Sequence, residues 1–183
     1  MATTVNDINT IKQLIVANFP IKSLQECSYD DDHKISLING NYIDVYNFDD
    51  ICKDIFKTLH SDCRQPKSLD ALYLNIEDTL VFIEFKNSRW KDISKDDVIL
   101  KIYDSLSLIA KYYDVTFEKL KTTKIYLIIK RDTKMNSFAR KATNGTCPPN
   151  FRFIKETLGI DIARYDAIDF EEYLKKHNKL PAS

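Results

Sequence analysis

Two apolar runs, Leu69–Leu74 and Leu80–Phe85, flank the polar stretch Asn75-Ile76-Glu77-Asp78-Thr79, and they constrain the fold of this chain more than any other feature. Short runs of this composition around a turn signal read as two paired strands. Val81, Phe82, Ile83 and Phe85 are apolar at both alternations, as expected inside a sheet rather than on an open edge. Each run nevertheless carries charge: Asp70 near the start of the first, Glu84 and Lys86 towards the end of the second. Alternation places Glu84 and Lys86 on one face, with Ile83 and Phe85 on the other. A hairpin centred on Glu77 sets Asp70 opposite Glu84, with Cβ atoms about 4.5–5.5 Å apart. Two carboxylates at that distance repel unless a cation lies between them. A turn centred between Glu77 and Asp78 instead sends Asp70 to the opposite face, because a one-residue slip inverts every side chain.

The segments around this hairpin predict an α/β fold. Ser94, with Asp97 three residues on, resembles a capping box and opens a helix to about Tyr113. That helix is apolar over most of its circumference (Val98, Ile102, Leu106, Ile109), with a narrow polar stripe of Lys101, Asp104, Ser105 and Lys111. Such a helix packs against a sheet and other elements. The run Lys124–Lys130 then reads as a buried strand, and strand, helix, strand suggests a parallel crossover. Upstream, Val5–Phe19 has helical spacing, Lys34–Ile38 and Tyr42–Tyr46 read as strands joined at Asn39-Gly40-Asn41, and Phe48–Leu59 reads as a helix. Downstream, helices are expected over Asn136–Ala142, Phe151–Leu158 and, capped by Asp169, Phe170–His177, with a strand over Ala163–Ile168. No repeat or linker divides the chain, so residues 1–183 are expected to form one domain, a mixed central sheet flanked by helices.

The Asp70 and Glu84-Phe85-Lys86 pattern resembles the PD-(D/E)XK nuclease superfamily, with Asp70 as the first acid and Glu84 and Lys86 as the E-x-K pair. Leu69 stands where the motif's proline would be, a position the family relaxes. The resemblance implies a restriction-endonuclease-like core and a metal-dependent nuclease, Mg²⁺ or Mn²⁺ being held by Asp70, Glu84 and the backbone carbonyl of Phe85. Such an ion prefers oxygen ligands and keeps several waters, so one or two carboxylates suffice. Lys86 would orient the attacking water or stabilise charge in the transition state. The family often adds an acid from an N-terminal helix, for which Glu26, Asp50 and Asp54 are candidates. Lys101 either faces the cleft, as a basic residue does in relatives, or covers apolar surface with its stem. The family also places a strand before the one bearing the first acid. Here that is Lys34–Ile38 or Tyr42–Tyr46, with Phe48–Leu59 as an insertion. DNA is the implied substrate, in a phage-defence or mobile-element setting, with a homodimer common among relatives. The alternatives are a non-catalytic binding protein of the same fold, such as an immunity protein or defence-complex subunit, and an unrelated α/β domain in which Glu84 and Lys86 are a surface pair.

Composition narrows the setting. The 183 residues hold 27 basic and 27 acidic side chains, which argues against a protein coated in positive charge but leaves room for a local basic groove. Ten Tyr and ten Phe suit a protein partner as well as a nucleic acid. The start MATTVNDINT lacks a secretory pattern and no apolar run is long enough to span a bilayer, so a cytoplasmic protein without membrane contact is expected. Cys27, Cys52, Cys63 and Cys147 have no C-x-x-C spacing and read as reduced thiols. His60 and Cys63 have ligand spacing, but two residues make no metal site.

Overall fold

The computed structural model describes residues 7–59, 65–76 and 78–181. The chain opens with α1 (Ile8–Asn18), capped by Asp7, whose side chain accepts from the Thr10 N–H. There follow β1 (Lys22–Ser23), the single turn α2 (Leu24–Cys27), and the short pair β2 (Tyr29–Asp30) and β3 (Ile35–Ser36). β4 (Asp44–Asn47) runs directly into α3 (Phe48–Leu59), and β5 (Ala71–Tyr73) and β6 (Val81–Lys86) form the charged hairpin. α4 (Lys95–Tyr112) crosses to β7 (Lys124–Ile129), and α5 (Ser137–Thr143), α6 (Arg152–Leu158), β8 (Asp161–Asp166) and α7 (Ala167–His177) complete the order.

The result is an α/β protein with a six-stranded mixed sheet in the order β1-β4-β5-β6-β7-β8. The pairs from β1 to β6 are antiparallel, and β6-β7 and β7-β8 are parallel. The crossover read from strand, helix, strand is therefore observed: α4 carries the chain from β6 to its parallel neighbour β7. β6 lies inside the sheet, as its two-faced apolarity requires. On one face Leu72, Phe82, Leu127 and Ile162 pack against α1, α3, α4 and α6; on the other, Ala71, Ile83, Tyr126 and Tyr165 pack against Leu24 of α2 and Phe170 and Leu174 of α7. Among the described residues, no helix is long and apolar enough to cross a membrane.

Two local expectations are corrected. Asn39-Gly40-Asn41 does not join two paired strands: β3 pairs with β2, and β4 pairs with β1 and β5. The hairpin turn falls earlier, where Asp30 accepts from the Asp32 and His33 N–H groups and Lys34 takes a positive φ. Gly40 instead permits close approach, since a Cβ there would stand 2.6 Å from Cζ of Tyr42. At the other end, α7 begins at Ala167 rather than near Phe170. Asp166, not Asp169, caps it by accepting from Ile168 and Asp169 N–H groups, which takes residues 167 and 168 out of the strand. Of the two strands proposed to precede the Asp70 strand, the one overlapping Tyr42–Tyr46 is beside it, with α3 inserted between β4 and β5.

Candidate active site

The hairpin takes the register centred on Glu77, a residue itself outside the described set. Ala71 pairs with Ile83, Leu72 with Phe82 and Tyr73 with Val81, so the next step sets Asp70 opposite Glu84. Asp70 is fixed at three points: its N–H donates to Ile83 O at 3.2 Å, its carbonyl accepts from Phe48 N at 3.0 Å, and its Oδ2 accepts from Phe85 N at 2.6 Å. The carboxylate thus takes the place of a backbone partner for β6 where β5 stops pairing. Glu84 is fully buried. Lys101 of α4 reaches between the two acids, its Nζ 3.2 Å from Asp70 Oδ1 and 2.9 Å from Glu84 Oε1. Lys86, on the Glu84 face, places its Nζ 2.7 Å from the same Glu84 oxygen.

One side of α4 holds this arrangement. Asp97, Lys101, Asp104 and Ser105 fall at i, i+4, i+7 and i+8, a single helical face. Asp97 takes the Lys67 ammonium and lies 3.7 Å from Lys86 Nζ. Asp104 accepts from the Lys67 N–H at 3.0 Å, and the buried Ser105 hydroxyl accepts from the Leu69 N–H at 3.0 Å. Lys101, Asp104 and Ser105 of the polar stripe read from the sequence, joined by Asp97, form the dock for residues 67–70. Ser105 and Asp104 satisfy the backbone leading into Asp70, and Lys101 satisfies its side chain.

The electrostatics follow from burial. Loss of water, then the nearby Glu84 charge, raise Asp70 above the ordinary carboxylate range to about 8, against the pull of Lys101. Burial alone would lower Lys101, but the Glu84 and Asp70 charges outweigh it and hold the ammonium above its usual value. The hydrogen bond from Lys67 keeps Asp97 low, with Lys86 assisting. Asp70 opens onto a cleft of about 350 Å³ lined also by Glu26, Asp30, Asp49, Lys53 and Asn87. The cleft is acidic and draws cations rather than bare phosphates.

Of the acids expected to complete the site, none reaches it. Glu26 lines the cleft but is exposed and turned back on the Ser23 N–H at 2.9 Å. Asp50 is exposed beside Lys53, and Asp54 is exposed further along α3. The acid that α3 does supply is Asp49, which accepts from the Ser68 hydroxyl and whose charge also raises Asp70. Asp49 and Asp50 both lie in the first turn of α3, and nothing in the sequence distinguishes them; in the structure Asp49 is half-buried and Asp50 exposed. Asp104 and Ser105 were legible as part of a polar stripe and Asp97 as a capping residue, but none of them as a partner of the hairpin. His60 and Cys63 lie outside the described residues. No group of three or more His, Cys, Asp or Glu side chains gathers to hold a metal among the described residues.

No protein-family model, curated protein or solved structure matches the chain.

Proposed function

We propose that this protein is a metal-dependent nuclease of restriction-endonuclease-like fold that hydrolyses phosphodiester bonds in DNA, with Asp70, Glu84 and Lys86 at its centre. The observation that carries the reading is the convergence of Asp70 and Glu84 on a single ammonium, that of Lys101, with Lys86 on the same face. A positive group already lies where the two carboxylates meet. Burial first, and then the Glu84 charge, raise Asp70, so its carboxylate is one that a bound cation would help to ionise. The donors are carboxylate oxygens, joined by the Phe85 carbonyl, which shares a strand edge with the N–H that Asp70 accepts. This set suits Mg²⁺ or Mn²⁺, which need few protein ligands beside water.

Such an ion, when bound, lowers the pKa of a water and draws charge from the scissile phosphate. The chain's own residues do the rest. The Phe85 N–H aims Asp70, and the Ile83 carbonyl and Phe48 N–H hold its backbone, so the ligand is set before substrate arrives. Lys101 offsets the repulsion between Asp70 and Glu84. Lys86, a quarter exposed and held beside Glu84, supplies positive charge to a phosphoryl oxygen or holds a water in line. The acidic cleft wall keeps uncompensated phosphates out until a cation is in place.

The test is cleavage of single- and double-stranded DNA and RNA with Mg²⁺ or Mn²⁺, wild type against Glu84→Ala. Cutting should need the metal and fall by about a hundredfold or more in the variant, the scale of losing one transition-state charge contact. Cutting that survives Glu84→Ala would sink the assignment. One observation favours a second reading: Lys86 and Lys101 already neutralise both acids, as in a closed buried ion network. A folded wild type that neither cuts nor binds metal would point to a non-catalytic binding protein of the same fold.

A further inference from the structure

Arg164 of β8 is 92% shielded from solvent, with 8% of its surface exposed, yet it forms no ion pair among the described residues. Burial lowers its pKa, with no carboxylate offsetting that loss. Of the acids nearby, Asp132 accepts from the Lys134 N–H at 3.0 Å and makes no ion pair with Arg164, and the other two are held by other cations. Asp166 Oδ1 takes Arg131 Nε at 3.0 Å and caps α7, while Asp169 takes Arg131, Arg140 at 3.1 Å and Asn144 at 2.7 Å. What Arg164 has instead is the face of Trp90, 5.1 Å from ring centroid to guanidinium carbon, and a second cation, Lys95, 4.3 Å from the same ring. A buried charge without a counter-charge is costly.

The guanidinium borders a cavity of about 30 Å³ lined by Trp90, Asp132, Arg140, Asn144 and Asp166. That is room for about two water-sized atoms. A guanidinium fork addresses two oxygens of one oxyanion side by side. The cavity also lies near the carboxyl ends of parallel strands, where α/β sheets bind ligands. Register connects it to the site above: Glu84 pairs with Leu127 and Leu127 with Arg164, so the two polar residues share a face about 10 Å apart, two strand spacings. One phosphate does not span that distance, but a strand crossing this edge of the sheet reaches both.

We propose that the Arg164 cavity is a seat for two oxygens of a phosphate group, held by the guanidinium fork against Trp90 and separate from the Asp70–Glu84 centre. That the phosphate belongs to a nucleic-acid strand rests on the nuclease reading; the seat itself does not. Trp90 is the only tryptophan in the chain, so its fluorescence reports the cavity directly. Inorganic phosphate, titrated into the full chain at constant ionic strength with chelator present, should give a saturable change. Arg164→Met should weaken it about 10- to 100-fold, the worth of a charged hydrogen-bonded contact. Arg164→Lys, which keeps the charge without the fork, serves if the Met variant does not fold and should also bind more weakly. No saturable change in wild type, or equal binding by folded variants, would overturn the seat. A short single-stranded oligonucleotide that moves Trp90 at lower concentration than inorganic phosphate identifies a strand phosphate; a response to inorganic phosphate alone identifies a free one. Oligonucleotide binding with Trp90 silent overturns the seat and leaves the nuclease reading intact, whereas a Trp90 response without metal-dependent cutting does the reverse.

Discussion

Asp70 concentrates the energetics of the site in one carboxyl group. Its pKa is raised in the folded protein, so the metal-free fold retains a proton that the unfolded chain releases near pH 4. The sign follows: this contribution to stability is complete below the unfolded value and is lost as pH rises towards about 8. Asp70→Asn should therefore flatten the decline of metal-free stability between about pH 4 and 8, measured by urea melts across that range. The amide still accepts from Phe85 and leaves Lys101 its Glu84 partner, so the fold should persist. A decline as steep in the variant as in wild type would place the titrating group elsewhere. Lys86→Met removes the nearer of the two ammonium groups beside the buried Glu84, so urea melts should show a loss of stability, and metal-dependent cleavage by the folded variant should fall by about 10²–10³ in kcat.

At the scale of elements, α4 acts as a clamp. Its apolar side packs on the sheet through Val98, Ile102, Leu106 and Ile109, and its Asp97, Lys101, Asp104 and Ser105 side grips residues 67–70. Ser105→Ala strands the buried Leu69 N–H, which costs about 1–3 kcal/mol. Denaturant unfolding should show that loss, and cleavage should fall further than stability accounts for because Asp70 is next in line. Leu106→Ala, on the same helix but turned away from this face, should destabilise comparably or more without the added loss of activity. Asp166 works the same way at the end of β8, ending the strand, capping α7 and occupying Arg131 at once. That triple role is why the strand closes before Ala167.

Across the whole molecule, the sheet is buried on both faces, and the charged centre is set into one of them under two helices. A ligand that binds only the folded arrangement stabilises it by mass action. Mg²⁺ or Mn²⁺ should raise the thermal midpoint of wild type, with chelator reversing the gain and Glu84→Gln abolishing it. Because Asp70 must release its proton to bind, the gain should grow as pH rises from about 6 to 8. A midpoint that ignores metal at every pH would favour the closed ion network.

The alternation in Leu80–Phe85, the cap at Ser94 and the apolar run at Lys124–Lys130 determined the hairpin, the crossover helix and the parallel strand, because period and capping are local properties of consecutive residues. They also placed Glu84 and Lys86 on one face. The partners of those residues were decided by tertiary structure. Asp49 rather than Glu26, Asp50 or Asp54 lies beside Asp70, because the direction in which α3 leaves β4 fixes which of several neighbouring acids faces inwards. The pairing of β3 with β2 depended on where the chain had room to turn, not on the strength of Asn-Gly as a turn signal. Lys101 was open between cleft and surface on sequence alone. Its place between two carboxylates follows from the packing angle of α4 on the sheet, a long-range property that no local pattern encodes.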